Sequence, residues 1–267
     1  MKKALVALVM IALLVCLCAC SVPSNSFMSK AQVNSLLKRY PEPKAVVTLS
    51  YKAGNDEFDV SITYKLLLEQ APIAVTRFIQ IANKEENGYN NTLVDTLNTS
   101  DKYMIMGRYE QKEDNKYYNV RTADVNFAGE FKSNDYREPQ GGYAEFKMFS
   151  LAMYHENDGE HFNSANGTLI LALSSEILLN SANYAVFAEF ESISVSTNGG
   201  EAKSYSKVPS IIRDHLMGFT TRTTYSIYDA NDENAGSVSA QIMSTKVTLN
   251  VEVFGSDDNW KKLPTIR

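Results

Sequence analysis

Val47-Thr48-Leu49-Ser50-Tyr51-Lys52-Ala53-Gly54-Asn55-Asp56-Glu57-Phe58-Asp59-Val60-Ser61-Ile62-Thr63-Tyr64 holds two runs of alternating apolar and polar residues around a Gly-Asn-Asp turn. Val47, Leu49 and Tyr51 fall on one face of the first run, and Phe58, Val60, Ile62 and Tyr64 on one face of the second. A period of two marks strands with one buried face, so the stretch predicts a β-hairpin. The period then changes. Ala71, Val75, Phe78, Ile79 and Ala82 share one face of a helix whose first turn suits Pro72, and Asn87-Gly88 closes that segment.

Working outward, further strands are predicted at Tyr103–Met106, Tyr143–Leu151, Gly167–Leu173, Tyr184–Phe190 and Gln241–Phe254, with a second short helix at Pro209–Leu216. Many strands and two helices suggest a mainly β protein, a closed sheet capped by helices. Periodicity alone does not separate that arrangement from an α+β layer. No internal repeat or low-complexity tract is present. The segment 198–236 is longer than the connection needs and is read as an insertion, a candidate partner surface. Asp229–Asn234 is read as a surface turn.

The N-terminal end has a different character. Lys2 and Lys3 precede an apolar run from Ala4 to Ala19, too short for a usual spanning helix and of the right length for a signal peptide. The run ends in Leu17-Cys18-Ala19-Cys20, which resembles the lipobox of bacterial lipoproteins. Residues 1–19 are thus expected to be removed, Cys20 to carry the lipid, and residues 20–43 to form a tether. Within it, Gln32–Tyr40 is a candidate short helix ended by Pro41 and Pro43. The folded domain is expected over 44–267. All three cysteines lie in the first 20 residues, so this domain depends on its core and not on disulfides.

The formal charge is −5, and removal of Lys2 and Lys3 makes it −7. No basic stripe appears, which argues against a nucleic-acid partner. Membrane association is expected from the lipid and not from electrostatics. Gly-x-Ser-x-Gly and glycine-rich phosphate loops are absent, so neither a hydrolase nor a nucleotide enzyme has sequence support. His155-Glu156-Asn157-Asp158-Gly159-Glu160-His161 has the residue types of a metal site. It reads more simply as a polar loop turning at Asp158-Gly159, so no metal and no cofactor is expected. His215, among Ile211, Ile212 and Leu216, reads as structural.

The order of motifs resembles a cyclophilin. Ala71-Pro72-x-x-Val75-x-x-Phe78 and Gly88-Tyr89 are similar to that family's AP-x-x-V-x-N-F helix and GYY turn. Tyr103-Met104-Ile105-Met106-Gly107 resembles its F-M-x-Q-G strand, Ser150-Leu151-Ala152-Met153 its S-M-A-N, and Asn166-Gly167-Thr168-Leu169-Ile170-Leu171 its N-G-S-Q-F-F. Leu179-Asn180 with Ala185-Val186-Phe187-Ala188 resembles L-D-G and V-F-G. The likeness runs over residues 45–195. It implies an eight-stranded closed barrel capped by two helices, completed by a strand at Lys246–Phe254, and peptidyl-prolyl cis-trans isomerase activity.

That activity needs an arginine that hydrogen-bonds the prolyl nitrogen and stabilises the twisted amide, whose barrier is about 18–20 kcal/mol. The resemblance places Asp95 at the arginine, in Leu93-Val94-Asp95, with Asn98–Asp101 as an inserted turn before Tyr103. Met106 and Leu169 fall at the two glutamines, Leu171 at the phenylalanine of the proline pocket, Leu178 at a tryptophan, and Tyr184 (or Asn183) at the histidine. Tyr103, Met104, Ala152, Leu171 and Leu179 keep the pocket apolar. Arg108 or Arg77 is a candidate replacement donor, though Arg108 also reads as a solvated charge at a strand end.

Two outcomes follow: an isomerase with a rebuilt donor, or a barrel that binds peptide, chaperones or scaffolds without catalysis, weak or absent isomerase activity being favoured. The implied partners are proline-containing segments of exported proteins and a membrane through the lipid, for a monomer. A substrate-capturing lipoprotein of an import system is disfavoured because such proteins need two lobes and more chain.

Overall fold

The computed structural model describes residues 27–113, 116–122, 124, 126–127, 129–155, 164–232 and 236–254. Cys20, residues 1–19, the 156–161 part of the histidine-containing loop and residues 255–267 lie outside them. Three helices are described: α1 (Lys30–Arg39), α2 (Pro72–Ala82) and α3 (Ser210–Gly218). The strands are β1 (Lys44–Ala53), β2 (Asp56–Leu66), β3 (Thr92–Asn98), β4 (Tyr103–Glu113), β5 (Lys116–Asn119), β6 (Leu151–Met153) and β7 (Leu169–Ala172), followed by β8 (Val186–Thr197), β9 (Lys203–Tyr205), β10 (Arg222–Asp229), β11 (Val238–Met243) and β12 (Thr248–Phe254). No helix among the described residues is long and apolar enough to cross a membrane.

The expected hairpin forms in register. Val47 pairs Ile62, Leu49 pairs Val60, and Gly54 takes a φ of 63° in the turn. Such a left-handed turn residue carries no steric cost only as glycine. The strand order runs β4-β3-β12-β1-β2-β8-β6-β7, and β7 pairs back onto β4. Eight strands therefore close a ring, the barrel that the resemblance implied. Val47, Leu49, Val60, Ile62, Val251 and Leu249 point into it and lose nearly all solvent exposure.

Each end of the ring is covered by a helix. α2 follows the far end of β2 and touches both β8 and β12, which sit on different sides of the ring, so it lies across the opening. It buries Ile73, Val75, Phe78, Ile79 and Ile81. Each such side chain contributes about 1.5–3 kcal/mol. α3 closes the hairpin end, with Ile212 and Leu216 in the core and His215 against the Tyr51 and Phe58 rings. His215 is therefore a packing residue, as the apolar spacing indicated.

The structure changes several expectations. Residues 28–40 are not a loose tether. Ser29 and Gln32 form a capping box, in which the Ser29 hydroxyl accepts from the Gln32 N–H at 3.3 Å and Gln32 Oε1 accepts from the Ser29 N–H at 2.8 Å. Met28, Val33, Leu36 and Tyr40 then bury into the main core.

The strand expected over Tyr143–Leu151 is confined to Leu151–Met153, because residues 142–147 run along the barrel unpaired. The single strand expected over Gln241–Phe254 is two, β11 and β12. The 198–236 insertion divides as well. α3 belongs to the barrel, whereas β10 and β11 form an added hairpin, with β10 parallel to β5. This wing rests on Leu93, Tyr109, Tyr117, Ile227 and Ile242.

Candidate functional site

Asp95 and Arg108 are brought together by irregular pairing of β3 and β4. Val94 faces Met106 while Thr96 faces Ile105, so Asp95 is an extra residue on β3; between Thr92↔Glu110 and Val94↔Met106 the surplus is on β4. Bulges re-aim side chains out of strict alternation. Gly107 sits in the second bulge at φ 84°, where a Cβ would meet the Tyr89 ring at 3.0 Å. Glycine is required there on both counts. The fully buried Arg121 holds this bend: its Nε donates to the Gly107 carbonyl at 3.0 Å, and its Nη2 donates to the Asn87 carbonyl at 2.7 Å. Asp124 takes its Nη1 at 2.6 Å, so the buried charge is paired.

Across the bulges, Arg108 Nη2 donates to Asp95 Oδ1 at 2.9 Å, and the Thr96 hydroxyl donates to the same oxygen at 2.9 Å. The Asp95 side chain is wholly buried and that of Arg108 only 26% exposed. Arg108 is thus neither a solvated strand-end charge nor a free donor. Burial pushes the Asp95 carboxyl above the usual carboxylate range, against the pull of Arg108, Thr96 and Arg222. Burial is the largest single influence on Arg108 and opposes its charge, but Asp95, Tyr109 and Tyr154 together outweigh it and hold the guanidinium charged. Asp95 Oδ2 and Arg108 Nε are buried with no hydrogen-bond partner among the described residues. The other candidate donor, Arg77, lies along α2, with Nη1 on Gln80 Oε1 at 3.3 Å and its guanidinium 6.0 Å from the Phe127 ring centre.

Beside the pair lies an apolar patch on the outside of the barrel. Tyr103 pairs Ala172, Met104 pairs Leu171, Ile105 pairs Ile170 and Met106 pairs Leu169. Paired residues share a face, and Met104, Met106, Leu169 and Leu171 have the inner one. All four are wholly buried in the main core and present no surface to a peptide. Ile170 and Ala172 take the outer face, where they too are buried, in a second cluster of their own. A displacement of one residue in the reading of a strand exchanges its faces, which is why the motif alignment chose the wrong partners.

The outer cluster contains Phe146, Ala152, Ile170, Ala172, Tyr184 and Val186, with Tyr103, Ala144, Tyr154, Ile177 and Leu179 against it. Of the expected lining residues, Tyr103, Ala152, Leu179 and Tyr184 do meet there. Ala152 and Tyr184 are themselves buried, and Leu178 beside them is exposed. Tyr154 joins patch and ion pair, packing on the cluster while lying within the electrostatic reach of Arg108.

His155, read from the sequence as part of a polar loop, is instead a packed residue. It is buried, stacked on Phe131 at 5.1 Å, and its Nε2–H donates to the Asn183 carbonyl at 2.6 Å. No cluster of metal-ligating residues occurs among the described residues.

Two buried groups were missed in the sequence. Arg121 is one, and Glu130 is the other. Its two carboxyl oxygens accept from the Ile73 and Ala74 N–H groups, both at 2.8 Å, closing the N-terminus of α2. Burial pushes Glu130 up to about 8, with those N–H donors pulling the other way. Glu130 is 57 and 56 residues from its two partners, and Arg121, though paired with Asp124 three residues on, finds its carbonyl acceptors Gly107 and Asn87 14 and 34 residues away, so the sequence marked neither as a buried bracing group.

No family model matches the chain, and no curated protein matches it. Among solved structures, a cyclophilin-type peptidyl-prolyl cis-trans isomerase of Cryptosporidium parvum is similar at 12% identity and a TM-score of 0.41, over 78% of this chain and 98% of that one. The Mimivirus cyclophilin is similar at 10% identity and a TM-score of 0.41, over 80% of this chain and 90% of that one.

Proposed function

We propose that this chain is a cyclophilin-like lipoprotein that holds proline-containing, extended segments of exported polypeptides on the outer face of its barrel, with prolyl isomerase activity weak or absent. The observation that carries the reading is the Asp95–Arg108 pair. At the position where the resemblance calls for an arginine there is a buried carboxylate, and the nearest guanidinium is spent on it at 2.9 Å. A donor held by an anion gains little by turning to an uncharged prolyl nitrogen, and catalysis comes only from bonds that strengthen in the transition state. The closed eight-stranded ring, the motif order over residues 45–195 and the partly exposed Tyr103 and Leu179 at the edge of the outer cluster support peptide binding on a barrel of this kind. The lipobox-like Leu17-Cys18-Ala19-Cys20 supports the anchor.

The test is an NMR-exchange isomerisation assay on the full-length chain with a panel of X-Pro peptides, alongside Arg108→Ala and Asp95→Arg. The expected result is no rate enhancement by the wild type, peptide binding detectable by chemical-shift change, and some catalysis restored by Asp95→Arg. Strong catalysis by the wild type that disappears in Arg108→Ala would show instead that Arg108 is a rebuilt donor.

A further inference from the structure

A cavity of about 890 Å³ opens on the barrel wall beside the outer patch, away from the ion pair. Neither Asp95, Arg108, Tyr103 nor Tyr184 lines it. One wall is the 138–147 segment, the other the 179–182 segment, and the floor includes Leu67, Val186 and Ala188 of the region around β2 and β8. Its volume lies within the range of ligand-binding clefts.

Residues 142–147 pass through it without helix, strand, turn or bend. The segment is held at both ends. The Tyr143 hydroxyl donates to the Tyr136 carbonyl at 2.5 Å, and the Phe146 N–H donates to Ser181 Oγ at 3.0 Å, which ties the two walls. Between these points, no backbone N–H or carbonyl of Tyr143, Ala144 or Glu145 meets a partner among the described residues. A straight, anchored stretch with open backbone groups is what an incoming extended chain pairs with.

Charge narrows the occupant. Lys147 pairs with Glu189 across the rim, which leaves Glu138 and Glu145 against Lys132. Leu67 on the floor and Leu179 on the wall, both partly exposed, give the cleft an apolar strip.

The geometry points to a second, proline-independent subsite in this cleft, which takes an extended polypeptide segment of alternating apolar and basic residues by backbone pairing with residues 143–145. The inference rests on the reading that the barrel binds polypeptide, and adds where and in what form a segment is held. Apolar side chains meet Leu67 and Leu179, and basic ones meet Glu138 and Glu145.

The experiment uses the full-length chain in phosphatidylcholine nanodiscs, with empty discs as the blank. Fluorescence anisotropy follows a labelled proline-free hexapeptide of alternating valine and lysine, and a separate X-Pro peptide. Ala144→Pro removes one N–H of the wall, and N-methylation of alternate peptide residues removes the matching donors. Each is expected to weaken the valine–lysine peptide about tenfold, the loss of one or two hydrogen bonds. Glu145→Lys, at an exposed and unpaired position among the described residues, is expected to weaken it severalfold and decides the matter if Ala144→Pro does not fold. The X-Pro peptide should keep its affinity in Glu145→Lys, whose side chain lies outside the outer cluster.

Unchanged valine–lysine affinity in Glu145→Lys and in folded Ala144→Pro, or no wild-type binding of that peptide while the X-Pro peptide binds, overturns the cleft and leaves the proposed function standing. Binding of neither peptide overturns both.

Discussion

At the residue scale, the proposed function turns on the Asp95–Arg108 pair. The Asp95 identity at the expected arginine position was readable from motif order, but its partner was not. Arg108 comes from beyond a bulge and an inserted turn, where Asn98 Nδ2 donates to Asp101 Oδ2 at 2.7 Å and Lys102 takes a φ of 58°. Spacing in sequence says nothing about a pairing made across two irregular strands.

The pair also has a thermodynamic signature. Asp95 is pushed up by burial, and Arg108 is the largest influence holding it down. Removing Arg108 raises Asp95 further. A carboxyl with a folded pKa above its unfolded one binds protons more readily in the folded state, so its contribution is present at low pH and lost as pH rises through the folded value. Arg108→Ala should therefore cost less at pH 5, where more of Asp95 is protonated, than at pH 8, where an unpaired buried charge costs about 3–5 kcal/mol. Urea unfolding midpoints at the two values measure this, and adding Asp95→Asn should flatten the difference. Equal losses at both pH values would mean that Arg108 acts by packing alone.

At the scale of elements, the hairpin and α2 were legible because each presents one clean period to one core. β3 was not, because Thr92-Leu93-Val94-Asp95 is buried on four successive residues and the bulge at Asp95 erases the alternation. β7 is a related case: Leu169-Ile170-Leu171-Ala172 is apolar on both faces, so the pattern could not say which side looks inward.

Helix α2 has a feature that no local reading supplies. Its N-terminal N–H groups are closed by Glu130, 56 residues from Ala74. Because burial lifts Glu130 from 4.5 to about 8, its contribution is full below about pH 4.5 and fades as pH climbs to 8. A carboxamide at this position accepts one N–H and opposes the other. Glu130→Gln should then cost about 1–3 kcal/mol near pH 5 and less near pH 8.5. Thermal melts of both proteins across that range test the sign. A cost that grows with pH would mean that the ionised carboxylate, favoured by the positive end of the helix, is the stabilising form.

At the scale of the whole molecule, closure follows from the order of elements. A first hairpin, a helix at one end, a run of short strands, a helix at the other end and a last strand are all visible in the chain. β12 then finds β1 along seven residues, from Lys44↔Phe254 to Ser50↔Thr248. The β10–β11 wing was seen only as surplus length. Its Arg222 donates to the Leu97 carbonyl at 2.5 Å and its charge also bears on Asp95, so the added hairpin reaches the candidate site as well as extending the sheet.

The proposed lipid anchor at Cys20 can be set against the charge of the whole chain. The formal charge of −5 before processing, and −7 after loss of Lys2 and Lys3, gives an anionic surface no attraction for the body of the protein. Acyl chains on Cys20 would then supply the whole of the attachment, each buried methylene adding about 0.8 kcal/mol. Cys20→Ser should move the protein from the membrane to the aqueous fraction. High salt, which screens charge pairs within a few ångströms, should leave the wild type bound while detergent releases it. Fractionation by centrifugation with immunoblotting reads both. A Cys20→Ser protein that still sediments with membranes and leaves them in salt would place the attachment on a charged surface of the barrel and remove the lipid from the account.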